Sequence, residues 1–328
     1  MPPFLGALPF VDTMRGPNLS HAALLLFGFV VLVTVPALLL WGAAGLLAAP
    51  VLLAIICAVA VRVPPDAVMR LYQAAPVPQG DSQLSSLVDV LSYRAELPRR
   101  PDLYVIPSMT LNAFAAGSRD HSAIAVTEGL LRRLSLTETA GVLAHEIAHI
   151  RNNDLLVMGL ADVITRVLQL MSYAALGLAL YNGLAFLTGE DMISWWVVLA
   201  LYLAPALSSL LQLGLSRARE FQADADAAAL TGDAQALASA LRRLETYTGH
   251  FWEDLMFPVP GRRVPHPSLI RSHPETEDRI QRLLALKTAP AGPHRHDPLV
   301  IVEQPMMSLV GYGPGDMRPR YRWPGLWF

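Results

Sequence analysis

Charge is what this chain lacks: of 328 residues only 16% are Asp, Glu, Lys or Arg, 53% are hydrophobic, and the net charge is −2. An ordinary soluble domain carries about 25% charged residues, so a mean hydropathy of +0.39 argues against one. Neither sign of charge dominates, so no nucleic-acid partner is expected. Cysteine is almost absent. Cys57 stands alone in an apolar run, which excludes a disulfide framework within the chain.

Apolar runs, by contrast, are long. From His21 to Val61 the sequence is almost unbroken, and at about 1.5 Å per residue one straight helix would be roughly twice as long as a ~30 Å hydrocarbon core. The segment has to fold back, giving a hairpin with one helix over Leu19–Leu40, a turn near Trp41–Gly45 and a second helix ending at Arg62. A cleaved signal peptide would have an apolar stretch of about 7–15 residues and more positive charge before it than Arg15 supplies. Two further runs cover Leu155–Leu187, where Asp162 and Arg166 stand four apart and able to pair, and Met192–Leu215, where Trp195 and Trp196 sit like interfacial anchors and Pro205 predicts a kink. Four transmembrane helices in a lipid bilayer are expected. The residues from 62 to 151 contain nine arginines, whereas Asn182–Asp191 ends in Glu190 and Asp191 and has no positive residue. Positive charge stays inside, which directs both termini and the segment between the second and third spans to the cytoplasm.

That segment leaves the membrane through Pro64-Pro65 and Pro76-Val77-Pro78. Ser82–Leu97 reads as a helix; Pro101–Pro107 and Ser122–Thr127 read as two strands, with Leu111–Gly117 between them. A helix follows over Leu134–Asn153, with Thr137 and Glu138 offering capping chemistry. The architecture is therefore α+β and mostly α, with a small β-sheet against the Leu134–Asn153 helix beside the membrane spans; that helix carries His145-Glu146-x-x-His149, a zincin-type metal motif, which makes this part the expected catalytic domain. A sheet edge near the metal can hold an extended peptide by backbone hydrogen bonds.

The chemistry lies in His145-Glu146-Ile147-Ala148-His149. Residues four apart stack on one helical face, so both imidazoles can reach one cation, and neutral imidazole suits Zn2+. Glu146, about 100° round the helix from His145, is placed to act as general base on a water at an open coordination position. After the fourth span, Glu220 and Asp224 share a face of an alanine-rich helix. One reading makes them a third ligand and a carboxylate that orients a ligand histidine; the other makes them a solvated acidic stripe paired with Arg217 and Arg219. Spacing alone leaves both open. His266 and His273, each followed by proline, are further candidates.

These residues resemble the HtpX-like integral-membrane zinc metalloproteases, relatives of the CAAX prenyl endopeptidases, over most of Leu97–Leu284. The matching pieces are Asn112-Ala113-Phe114-Ala115-x-Gly117, Ala125-Val126-Thr127-x-Gly129-Leu130, Gly141–His149 with Asp154, Ser216-Arg217-x-x-Glu220-x-x-Ala223-Asp224, and Ser272-His273-Pro274-x-Thr276-x-x-Arg279-Ile280. The resemblance implies an endopeptidase with one Zn2+ per chain, held by His145, His149 and Glu220, with Glu146 as base and proton shuttle. It implies that Asp224 orients a ligand histidine, that Arg217 and Arg279 organise the carboxylates, and that Asn112 and His273 approach the substrate backbone or the oxyanion. His273 is preferred to His266 because only it has the Thr276 and Arg279 companions.

The implied function is hydrolysis of membrane proteins or peptides for quality control, in a bacterial inner membrane with the catalytic domain facing the cytoplasm. The rivals are a selective protease acting on prenylated C-termini, whose relatives have more than four spans, and a metal-binding scaffold, which has no need of Glu146. The expected segments are 1–62, an N-terminal stretch with the first hairpin; 63–154, the first catalytic part; 155–215, two spans; 216–287, the second catalytic part; and 288–328, a Pro/Gly-rich tail. Within the tail a short strand at Leu299–Val302 and an aromatic end at Trp323, Trp327 and Phe328 are expected, and His294 and His296 read as solvated loop rather than as a metal-binding tract.

Overall fold

The computed structural model describes residues 9–60, 64–80, 82–190, 192–255, 276–288, 297–299, 301, 321–322 and 326–327. The chain divides into two compact units, one of residues 1–62 and 157–218 and the other of 63–156 and 219–328.

The first unit is helical. Helix α1 (Pro9–Ala60) is two helices joined at Gly42, whose φ of 61° and ψ of −140° no helix contains. Glycine adopts that conformation at no steric cost. The reversal is tight: a Cβ on Gly45 would lie 2.0 Å from the Ala37 carbonyl oxygen, an approach impossible for residues eight apart in one helix. Helices α6 (Asp154–Thr188) and α7 (Trp195–Thr231, with Pro205 inside it) supply the other long apolar runs. Among the described residues, three helical runs are long and apolar enough to cross a membrane, Phe27–Val59, Asp154–Thr188 and Trp195–Thr231, and the first contains the Gly42 break. Phe29, Val33, Leu53, Ile164, Leu168 and Ala204 form the core of the unit, while Phe27, Leu47, Leu180, Leu187 and Leu210 are exposed. Buried Asn182 closes the α6–α7 hairpin by donating to the Ile193 carbonyl (2.7 Å) and accepting from its N–H (2.9 Å).

The second unit is built on a mixed sheet of order β1-β2-β4-β3. Strands β2 (Asp102–Ile106) and β4 (Ser122–Thr127) are the two legible in the sequence, and they run parallel. Strand β3 (Ala113–Gly117) pairs antiparallel with β4, and β1 (Ala75–Pro76) adds to the other edge, where its proline costs no ladder bond. Between β3 and β4 the Ser118 N–H donates to the His121 carbonyl (2.8 Å), and Gly117, at φ 102°, makes the entry. Helices α2 (Pro65–Leu71), α3 (Gln83–Arg94), α4 (Glu128–Arg133) and α5 (Leu136–Arg151) surround the sheet, and β3 packs directly on α5. Helix α8 (Ala234–Leu255) packs on α5 and on α9 (Thr276–Thr288). Leu84, Leu91, Ile124, Leu143, Ile147, Leu237 and Ile280 belong to the larger core of this unit, and Met69 of α2 packs with Ile106, Phe114, Ala123 and Ala125 in a smaller one.

The first described residues of the tail return to the larger core. Leu299 N–H donates to the Thr231 carbonyl at the end of α7 (3.1 Å), and the Arg94 guanidinium bridges the carbonyls of Leu230 (2.7 Å) and Asp297 (3.0 Å). Leu299 and Ile301 pack on the core; Val300 and Val302, also in the expected strand, lie outside the described residues, as do Trp323 and Phe328. Trp327 belongs to a two-residue strand pairing with Tyr321–Arg322.

Candidate metal centre

Helix α5 starts about two and a half turns before its chemistry, at Leu136. Ser135 is the N-cap: its hydroxyl accepts from Glu138 N–H (3.2 Å), and the Glu138 carboxylate accepts from Ser135 N–H (2.8 Å), a capping box in place of the expected Thr137. The second Glu138 oxygen accepts from Ser239 (2.6 Å) and pairs with Arg243 (2.9 Å), tying α5 to α8. Gly141 allows the two helices to meet, since a Cβ there would sit 3.0 Å from the Leu237 nitrogen.

One turn further on, His145 and His149 project side by side. Their Nε2 atoms are 3.1 Å apart; Glu220 places Oε2 3.3 Å from the first and Oε1 3.6 Å from the second. These three side chains form a group able to hold a metal ion. Tetrahedral zinc with bonds of about 2.0–2.2 Å puts neighbouring ligand atoms ~3.3–3.5 Å apart, close to all three distances.

The ring protons support the same conclusion. His149 Nδ1 is 2.9 Å from Asp154 Oδ2, and His145 Nδ1 is 3.0 Å from Asp224 Oδ1, the latter off line for a good hydrogen bond. An ionised carboxylate only accepts, so the Nδ1 atoms carry the protons and the Nε2 lone pairs are left facing one another. Two acceptors at 3.1 Å repel unless a cation lies between them.

Without a metal that cation is a proton. His145 is 1% exposed, and burial alone would lower its pKa. The carboxylates of Asp224 and Glu220 outweigh burial and push it up to about 10 from an ordinary 6.5. A folded-state pKa raised in this way stabilises the metal-free fold fully below pH 6.5, and the contribution is lost as pH rises towards 10. Metal must displace this proton, so affinity is expected to rise up to tenfold per pH unit over pH 6.5–9. A chelator-competition titration across that range checks this; an affinity independent of pH contradicts it.

Glu146 is buried beside the histidines and faces the sheet. Its Oε2 accepts from the Ala115 N–H of β3 (3.0 Å), and its Oε1 has no hydrogen-bond partner among the described residues. Burial raises its carboxyl pKa, opposed by the charges of His145 and His149 and by the Ala115 bond. One oxygen is thus anchored and the other is left for a proton.

Arg279 on α9 grips Asp224 with two bonds of 2.7 Å and reaches Glu220 at 3.2 Å, so the acidic face of α7 is a buried network rather than a solvated stripe. Arg282, one turn later, lies over the Phe221 ring at 3.7 Å. Arg217, expected to share this work, is exposed; the other arginine at the carboxylates is Arg219, which bonds Asp154, a residue from the start of α6 rather than from α7. Asn112 is buried at the entry to β3, three residues before Ala115, with its side-chain oxygen unpartnered among the described residues. His273 and His266 lie outside the described residues. Sequence reasoning missed the parts played by the Ala115 N–H, Arg219 and Asp154: Ala115 and Asp154 stood in the resemblance without a role, and Arg219 stood only as a partner of a solvated stripe.

Long apolar helices, a small mixed sheet and a His-Glu-His metal group with a buried carboxylate beside it define a membrane metallopeptidase. Residues 78–287 match the model of peptidase family M48, and the chain belongs to that family, as an HtpX-like membrane metalloprotease. It is similar to a "Protease HtpX homolog" of Acaryochloris marina, 44% identical over 231 residues that span 66% of this chain and 76% of that one. Another "Protease HtpX homolog", from Desulfatibacillum aliphaticivorans, is 35% identical over 244 residues, 70% of this chain and 78% of that one. The crystal structure of S. mikatae Ste24p aligns with a TM-score of 0.48 at 21% identity, over 84% of this chain and 66% of that chain.

Proposed function

We propose that the chain is a zinc-dependent endopeptidase of the bacterial inner membrane, acting on misassembled membrane proteins and on peptides released from them. The observation that carries the reading is the convergence of His145 Nε2, His149 Nε2 and Glu220 beside a Glu146 oxygen with no other partner among the described residues. Zinc bound there supplies a Lewis acid that makes a water acidic and polarises a carbonyl. His145, His149 and Glu220 hold it, while Asp224, pinned by Arg279, steadies His145. Glu146 Oε1 takes the proton of the attacking water and returns it to the leaving amine, with Oε2 kept still by the Ala115 N–H. Strand β3, at the sheet edge beside α5, offers main-chain groups to an extended peptide, and Asn112 and His273 are assigned to the substrate backbone or the oxyanion.

The Gly42 break supports four crossings rather than three. The arginine asymmetry supports a cytoplasmic catalytic unit, with the connection around Thr188 on the opposite side. In a Cys57→Ser background, Thr188→Cys is expected to react with an external impermeant thiol reagent and Ser118→Cys to be protected. The function itself is tested by mapping new N-termini in membrane fractions from cells expressing the parent or Glu146→Gln. Cleavages within membrane proteins should be present with the parent and absent with the variant; identical fragment sets would overturn the reading.

A further inference from the structure

Glu220 and Asp224 account for one side of the metal centre, but His149 is oriented by something else. Helix α5 is capped by Asn152, and Asn153 follows in the left-handed region (φ 56°), a conformation that asparagine tolerates better than most residues. That turn brings Asp154, the first residue of α6, back beneath His149, where Oδ2 meets Nδ1 at 2.9 Å. Asp154 is only 2% exposed, and its other oxygen accepts from the guanidinium of Arg219, the residue before Glu220 on α7. The arrangement repeats the one at His145, where Asp224 faces Nδ1 and Arg279 holds Asp224. Each histidine is therefore backed by a carboxylate, and each carboxylate by an arginine.

We propose that Asp154 and Arg219 are positioning residues of the metal centre. Asp154 fixes His149 as the tautomer with its proton on Nδ1 and its Nε2 lone pair towards the metal, and Arg219 holds the Asp154 carboxylate in place and supplies its counter-charge. Because Arg219 precedes Glu220, the same contact also sets α7 against the end of α5, so the ligands of both helices are registered together. The proposal rests on the metal-centre reading above.

A structural control lies in the same turn. Asn152 donates to Asp226 on α7 (2.7 Å), a second tie between these segments that does not touch His149. In the full-length protein in detergent, Zn2+ affinity is measured by chelator competition, and the visible spectrum is recorded after loading with Co2+. Asp154→Ala should weaken zinc about 10–100-fold and shift the Co2+ bands. Asp154→Asn, which keeps volume and an acceptor oxygen, should fall between it and the parent. Arg219→Ala should weaken zinc, Arg219→Lys should recover part of the loss, and the Asp154→Ala/Arg219→Ala double variant should be no weaker than Asp154→Ala alone, since Arg219 acts through Asp154.

Asn152→Ala should lower the unfolding temperature, keep zinc affinity within about threefold and leave the Co2+ spectrum unchanged, because the lost bond holds backbone and not a ligand. If Asn152→Ala weakens zinc as much as Asp154→Ala, the turn is a mere anchor and the proposal fails. Parental affinity in Asp154→Ala also overturns it. A parent that takes up no zinc overturns both readings, whereas a Glu220→Ala variant that keeps zinc, beside Asp154 variants that lose it, overturns only the choice of third ligand.

Discussion

Glu146→Gln is expected to lower peptide cleavage by about 10²–10⁴-fold, the usual contribution of a general base, while metal content stays at the parental level. The anchoring bond decides the outcome. Ala115 N–H now donates to Glu146 Oε2 and will retain the oxygen of the glutamine amide, turning the NH2 group to the place where Oε1 stood. A donor then faces the water that has to lose a proton. Volume and shape hardly change, so the helix and its histidines should be undisturbed. Glu220→Ala should fail differently: two histidines remain of three ligands, and metal and activity should vanish together. Elemental analysis and turnover of an unfolded membrane protein, measured on both variants, separate the two. Parental cleavage by Glu146→Gln would remove the proposed mechanism, whereas full metal in Glu220→Ala would move the third ligand to another residue, Asp224 first.

Arg279→Ala is expected to have the largest effect on stability. The side chain is almost wholly buried and neutralises two carboxylates at once, Asp224 through a two-bond fork and Glu220 at 3.2 Å. Removing one partner of a buried ion pair typically costs about 3–5 kcal/mol, because the remaining charge is stranded away from water. For a unit of this size that corresponds to a fall of about 6–20 °C in unfolding temperature. The loss should be greatest in the metal-free protein and smaller with metal bound, since a cation at His145, His149 and Glu220 takes over part of the neutralisation. Arg279→Lys keeps the charge without the fork and should recover part of the stability. Tryptophan fluorescence melts with and without chelator provide the measurement; a metal-free Arg279→Ala variant melting within about 2 °C of the parent would show that the network carries no such energy.

What was legible in the sequence is what rests on local periodicity. His145 and His149 fall on one face because both lie within a single turn of one helix, and Glu220 and Asp224 do so for the same reason. The chain reversal expected around Trp41–Gly45 is at Gly42, where a glycine can take the dihedrals a turn requires. Strand β3 was illegible because Ala113-Phe114-Ala115-Ala116-Gly117 has little strand propensity of its own; its conformation comes from pairing with β4, a neighbour that only the fold supplies. The cap was misread although its signal was present, since Ser135-x-x-Glu138 is a capping box and Thr137 lies inside the first turn. Arg219 was passed over for Arg217 because its partner, Asp154, comes from another helix, and no helical wheel of α7 contains it.

The tail gives the folded unit a boundary that similarity does not draw. The family match ends at residue 287, but the last carbonyls of α7, the helix that carries Glu220 and Asp224, are satisfied by Leu299 N–H and by an arginine that also holds the Asp297 carbonyl. Leu299 and Ile301 cover part of the core shared with α5. A protein cut where the resemblance stops would keep every proposed metal ligand and yet expose a helix end and an apolar surface. Affinity tags, fusion partners and protease sites therefore belong beyond residue 301.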